Sequence, residues 1–145
     1  MPMTMTIPEV LESVKGKSKN KADIVRLLRE HSSMALRQIL TYAFFDKAKW
    51  YRKDLPAYTP DASPEGLTMT NLFAESKRLY IFKESYNLPL ERKDTLLIQI
   101  LESVHPKEAD LIRNLFDGSF PYAYGLDKKI VKEAFPDLDQ MKISA

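Results

Sequence analysis

Apolar residues recur at three- and four-residue intervals along almost the whole chain, and no segment alternates at period two for more than a few residues. Side chains return to the same face every 3.6 residues in a helix and every two in a strand, so this spacing confines the chain to helices. Ile7, Val10, Leu11 and Val14 mark a first helix. Ile24, Leu27 and Leu28 mark a second, with Asn20 or Ser18 as its N-cap. After a Ser32-Ser33 turn, Leu36, Ile39, Leu40, Ala43 and Phe44 mark a third. Thr68-Met69-Thr70-Asn71 offers caps for a fourth, carrying Leu72, Phe73, Leu79, Tyr80 and Phe82. Residues 90–104 predict a fifth, with Leu97, Ile98, Leu101 and Val104 inward. Pro106 and Glu108 suit the first turn of a sixth, whose core face is Leu111, Ile112, Leu115 and Phe116 and whose stop is Asp117-Gly118. Asp127 caps a last helix through Ile130, Val131, Ala134 and Phe135, ended by Pro136. The expected fold is all-α, a compact single-domain bundle of six to seven short helices.

One long stretch breaks the periodicity. Residues 54–66 hold Pro56, Pro60 and Pro64, and prolines at that spacing cannot sit inside a helix, so an extended loop is expected. The 145 residues suit one domain, divided here into a flexible start (1–6), a helical domain (7–138) and a short tail (139–145). No apolar run is long enough to cross a membrane and no positively flanked signal segment is present, so a soluble, cytoplasmic protein is expected.

Little in the chain points to catalysis. The absence of Cys excludes disulfides, thiolate metal sites and a cysteine nucleophile, and His31 and His105 are too few for a histidine zinc cluster. Neither the G-x-x-x-x-G-K-[ST] phosphate loop nor the G-x-S-x-G elbow occurs. Glu102 and His105 have the E-x-x-H spacing of carboxylate-bridged iron bundles, but that site needs a second such pair, and Leu28 stands three residues before His31. The expectation is a non-enzyme with no metal and no cofactor.

Charge is more informative. Residues 1–60 carry 11 Lys/Arg against 6 Asp/Glu, whereas residues 61–145 carry 11 against 14. The basic excess allows one end of the molecule to meet a polyanion. Lys15, Lys17, Lys19 and Lys21 alternate around Gly16 between the first two helices. Lys47, Lys49, Arg52 and Lys53 interleave with Trp50 and Tyr51, which suits phosphate contacts with an aromatic wedge. The same pattern also suits two aromatics anchoring the proline loop while the lysines face water. Lys128 and Lys129 open the last helix shortly after Gly125, where lysine is mildly unfavourable unless an anion is nearby.

The order of these segments resembles the N-terminal helical DNA-binding domain of ATP-dependent DNA ligases of tailed phages. The resemblance rests on Ile7-Pro-Glu-Val-Leu-Glu-Ser-Val, on Lys21-Ala-Asp-Ile-Val-Arg-Leu-Leu-Arg-Glu-His and on Ala35-Leu-Arg-Gln-Ile-Leu-Thr-Tyr-Ala-Phe. It continues through Gly66-Leu-Thr-Met-Thr-Asn-Leu-Phe to Gly125-Leu-Asp-Lys-Lys-Ile-Val-Lys-Glu-Ala-Phe-Pro, so it spans about Ile7 to Leu138. The whole also resembles an uncharacterised family of small proteins encoded by large contractile-tailed phages. The ligase resemblance implies a stand-alone domain that grips duplex DNA from the minor-groove side through backbone phosphates, with little sequence preference. The Lys-x-Asp-Gly adenylation motif is missing. Where many such ligases carry a basic residue two positions before the terminal Gly, this chain has Ala123 between Tyr122 and Tyr124. Expected DNA contacts are Lys15, Lys17, Lys19, Lys21, Lys49, Arg52, Lys53, Gly125, Lys128 and Lys129. The alternative is an adaptor or inhibitor on the same scaffold, binding a protein of host or phage replication or transcription.

Overall fold

The structure, a computed structural model, describes residues 6–16, 20–45, 49–63 and 67–138. Eight α-helices are present among them: α1 (Ile7–Gly16), α2 (Lys21–Glu30), α3 (Met34–Phe44), α4 (Leu72–Glu75), α5 (Leu90–Ser103), α6 (Pro106–Asp117), α7 (Phe120–Tyr124) and α8 (Lys128–Ala134). The fold is all-α, as the periodicity predicts; the only extended pairing among the described residues is an isolated bridge between Trp50 and Lys83.

Local chemistry sets the helix starts. Thr6 and Glu9 cap α1 reciprocally: the Thr6 amide donates to the Glu9 carboxylate (2.9 Å) and the Glu9 amide to the Thr6 hydroxyl (3.3 Å). Thr6 therefore belongs to the folded domain rather than to a loose start, and residues 1–5 lie outside the described residues. Asn20, Ser33, Asn71 and Asp127 each accept an amide three residues on, opening α2, α3, α4 and α8. Gly118, at φ +79°, closes α6 in the left-handed region.

Two segments depart from the pattern. The fourth helix turns α-helical only as far as Glu75 and continues as a 3₁₀ helix over Ser76–Phe82. Its three-residue repeat puts Ser76, Leu79 and Phe82 on one buried face. Helix α7 was not legible in the periodicity: five residues hold less than two turns, and only Phe120 and Tyr124 face inward. On α5 the inward set is Leu97, Ile100, Leu101 and Val104, while Ile98 is half-buried, since one position from Leu97 turns the side chain about 100° away.

One apolar core joins all of these elements. Helix α1 packs on α2, α6 and α7, α2 on α8, and α3 on α4 and the 3₁₀ helix. The proline segment lies across this core as an extended loop through residue 63, with Leu55 and Tyr58 packed inward and the Thr59 amide donating to Glu102 at 2.7 Å. Pro64 and Gly66 fall outside the described residues. Beside the loop, Glu108 is buried at 1% exposure, and one carboxylate ties two helix starts together. It accepts from the Leu72 amide at 2.8 Å and from the His105 amide at 3.4 Å. His105 caps α6 through Nδ1, which accepts from the Lys107 amide at 3.1 Å, so it is a structural residue.

Candidate nucleic-acid interface

The end of α3 organises the candidate surface. Phe44, its last residue, meets Phe120 of α7 edge to face at 5.9 Å, and Phe45, its C-cap, lies under the Lys128 ammonium at 5.4 Å. Helix α7 and the start of α8 therefore sit together at the end of α3. Toward the other end of α3, Arg37 donates to Asp137 at 3.4 Å and stacks its guanidinium over Phe135 at 5.7 Å. Thus α8 runs antiparallel along α3.

Arg29, near the end of α2, donates to the carbonyls of Ala134 and Glu133, both at 2.9 Å, and so satisfies two open acceptors at the end of α8. The two packed helices end on the same side of the bundle and start on the other. Four residues, 17–20, join α1 to α2, which limits how far Lys15 can stand from Lys21. Lys49 follows Phe45 by four residues. Lys15, Lys21, Lys49, Lys128 and Lys129 are all exposed, and all belong to the end of the bundle where α1 and α3 finish and α2 and α8 begin.

Several expected contacts have other occupations. Lys15 and Gly16 belong to the last turn of α1 and Lys21 opens α2, so the basic loop is shorter than the glycine and alternating lysines predict; Lys17, Lys19 and Lys47 lie outside the described residues. Trp50 stacks on Phe116 at 4.9 Å and leans on Tyr42 at 5.1 Å, and the Tyr51 amide donates to the Phe82 carbonyl at 2.8 Å. The two aromatics anchor the chain to the core, so of the two readings the sequence allows, wedge or anchor, the structure shows the anchor. Arg52 is held by Asp94 at 3.1 Å and Asp54 at 3.2 Å, whereas Lys53 is exposed. Gly125, at φ +62°, terminates α7 in the left-handed region, and the Leu126 amide that follows donates a hydrogen bond to the Pro121 carbonyl (3.1 Å). On α8, Asp127 takes the Ile130 amide at 2.8 Å, so at this end the lysine side chains, rather than that amide, are open to an anion.

Behind the surface lies a buried polar knot. Lys93 is 1% exposed and donates to the Lys83 carbonyl at 2.7 Å, with its ammonium 5.5 Å from the Tyr51 ring; burial pushes its pKa down. The Tyr51 hydroxyl donates to Asp94, and burial followed by that carboxylate pushes the phenol well above its usual range. These groups fix the segment after α3 against α5. Sequence reasoning missed them because an isolated lysine or carboxylate in a helix reads as surface.

Chemically the surface offers exposed ammonium groups. Among the described residues no group of three or more His, Cys, Asp or Glu residues could hold a metal ion, and no helix is long and apolar enough to cross a membrane. Sequence reasoning noted Tyr122 only beside Ala123 and Tyr124; the structure leaves it 87% exposed on the outer face of α7 and buries Tyr124. The signal for this was present in the four-residue spacing of Phe120 and Tyr124, which turns Tyr122 outward once residues 120–124 are helical.

Fold and surface together define an all-α domain with a lysine-rich end. The chain belongs to a family of unknown function, DUF6433, whose family model matches residues 10–121. No curated protein and no solved structure matches it.

Proposed function

We propose that this protein is a non-catalytic duplex-DNA-binding domain that holds backbone phosphates through its lysine-rich end, with little sequence specificity. The observation that carries the reading is the seat of Lys128 on Phe45, which brings the lysines of α8 to the end of the bundle that also carries Lys49. A cluster of exposed ammonium groups gains affinity for a polyanion by releasing its condensed counterions, without reading bases. The role that fits the ligase resemblance is an accessory protein of phage DNA metabolism, working in the cytoplasm of the host cell.

The test is a salt titration of binding to intact and nicked duplexes of unrelated sequence. Replacing Lys128 and Lys129 together with Glu is expected to weaken binding similarly for every sequence, and to lower the log–log salt slope by about two units, one per lysine. Unchanged affinity and slope would refute the phosphate contact. Incubation with ATP and magnesium is expected to give no lysine adenylate. A protein-binding adaptor is the second reading, supported by the exposed pair Leu67 and Met69 on one short segment. Tyr122 and Tyr124 do not form one exposed patch for such a partner, because Tyr124 is buried while Tyr122 is exposed.

A further inference from the structure

Tyr122 is exposed over 87% of its surface, and among the described residues no aromatic ring stacks on it. Its helix is held on the opposite face by Phe120 and Tyr124, whose rings meet at 4.8 Å, and by the contact of Phe120 with Phe44. The ring therefore stands on a fixed base. Phe44 and Phe45 are adjacent in the chain, and they carry α7 and Lys128 respectively, so Tyr122 belongs to the same end of the molecule as the lysines. Gly125 turns the chain directly from α7 toward Lys128 and Lys129.

We propose that Tyr122 is a stacking platform for unpaired bases, so that the lysine-rich end prefers DNA carrying a single-stranded stretch over fully paired duplex. The inference rests on the phosphate-binding reading and adds a substrate class to it. Lysines alone do not distinguish paired from unpaired DNA by shape, because they meet only phosphates. A planar ring distinguishes them, since base faces are hidden within a duplex and open in a single strand. Tyrosine loses only two torsions on being ordered, and a single base–aromatic stack changes affinity by roughly five- to 150-fold.

The experiment compares the full chain on a dye-labelled duplex and on the same duplex with a short central gap, by fluorescence anisotropy at fixed salt. The wild type is expected to bind the gapped form at least about fivefold more tightly. Tyr122→Ala is expected to abolish that ratio while leaving duplex affinity unchanged, and Tyr122→Trp to restore it; far-ultraviolet circular dichroism checks that each variant keeps its helices. Equal binding of both DNAs by the wild type, or a ratio that survives Tyr122→Ala, overturns the inference and leaves the phosphate reading standing. Failure of the wild type to bind either DNA overturns both.

Discussion

Glu108 offers the sharpest quantitative test of how the helices are joined. Its carboxylate is buried and accepts two backbone amides, Leu72 at 2.8 Å and His105 at 3.4 Å. Replacing it with Ala removes both acceptors and leaves two amide donors inside the protein. A hydrogen bond to a charged group contributes about 1.5–3 kcal/mol, and the longer contact belongs at the low end, so Glu108→Ala is expected to cost about 3–5 kcal/mol. Glu108→Gln keeps one acceptor oxygen but presents an NH₂ group to the second amide, for an expected loss of about 1–2 kcal/mol. For a chain of this size each kilocalorie lowers Tm by about 2–4 °C, so the Ala variant is expected to melt roughly 6–20 °C early. Urea unfolding followed by circular dichroism gives the free energies, with Glu102→Gln as a comparison because Glu102 is exposed and holds a single loop amide. An Ala variant within 1 kcal/mol of wild type would show that Glu108 does not tie α4 to α6.

Backbone conformation and titration give three more expected outcomes. Gly118→Ala is expected to cost about 1–2 kcal/mol, because the site is at φ +79° with no atom near an added methyl group; the strain lies wholly in the backbone. Gly16→Ala, equally unobstructed at the last position of α1, is expected to stabilise by at most about 0.5 kcal/mol, the low end of the mid-helix gain, and chemical denaturation of the pair checks both signs. Stability is also expected to fall as pH rises through 10. Tyr51, Tyr58 and Tyr124 all have pKa values raised by burial, so the unfolded chain releases their protons first and the native state binds more. The lowered pKa of Lys93 acts oppositely, adding stability as pH approaches 10.5 from below. Three phenols outweigh one lysine, and urea midpoints between pH 8 and 11 are expected to flatten in Tyr51→Phe; a midpoint that rises over that range would contradict the assignment.

The helical class and most of the helix boundaries are legible in the chain alone. Apolar spacing is a local property, and Asn20, Ser33, Asn71 and Asp127 cap the helices that follow them through bonds three residues long. The Gly118 stop and the proline loop are local in the same sense. The roles of the polar residues come from packing instead. Trp50 and Tyr51 fit either a wedge or an anchor as a string of letters, and their contacts with Phe116, Tyr42 and Phe82 make them anchors. Lys93, Glu108 and Arg52 read as surface charges, yet their partners, Lys83, Leu72 and Asp94, stand 10, 36 and 42 residues away along the chain. Lys49 and Lys128 likewise share one end of the bundle only because Phe45 meets α8 across more than half the chain. Helix periodicity records which face of each segment is apolar. Which charged ends those faces bring together is fixed by packing, and no local pattern encodes it.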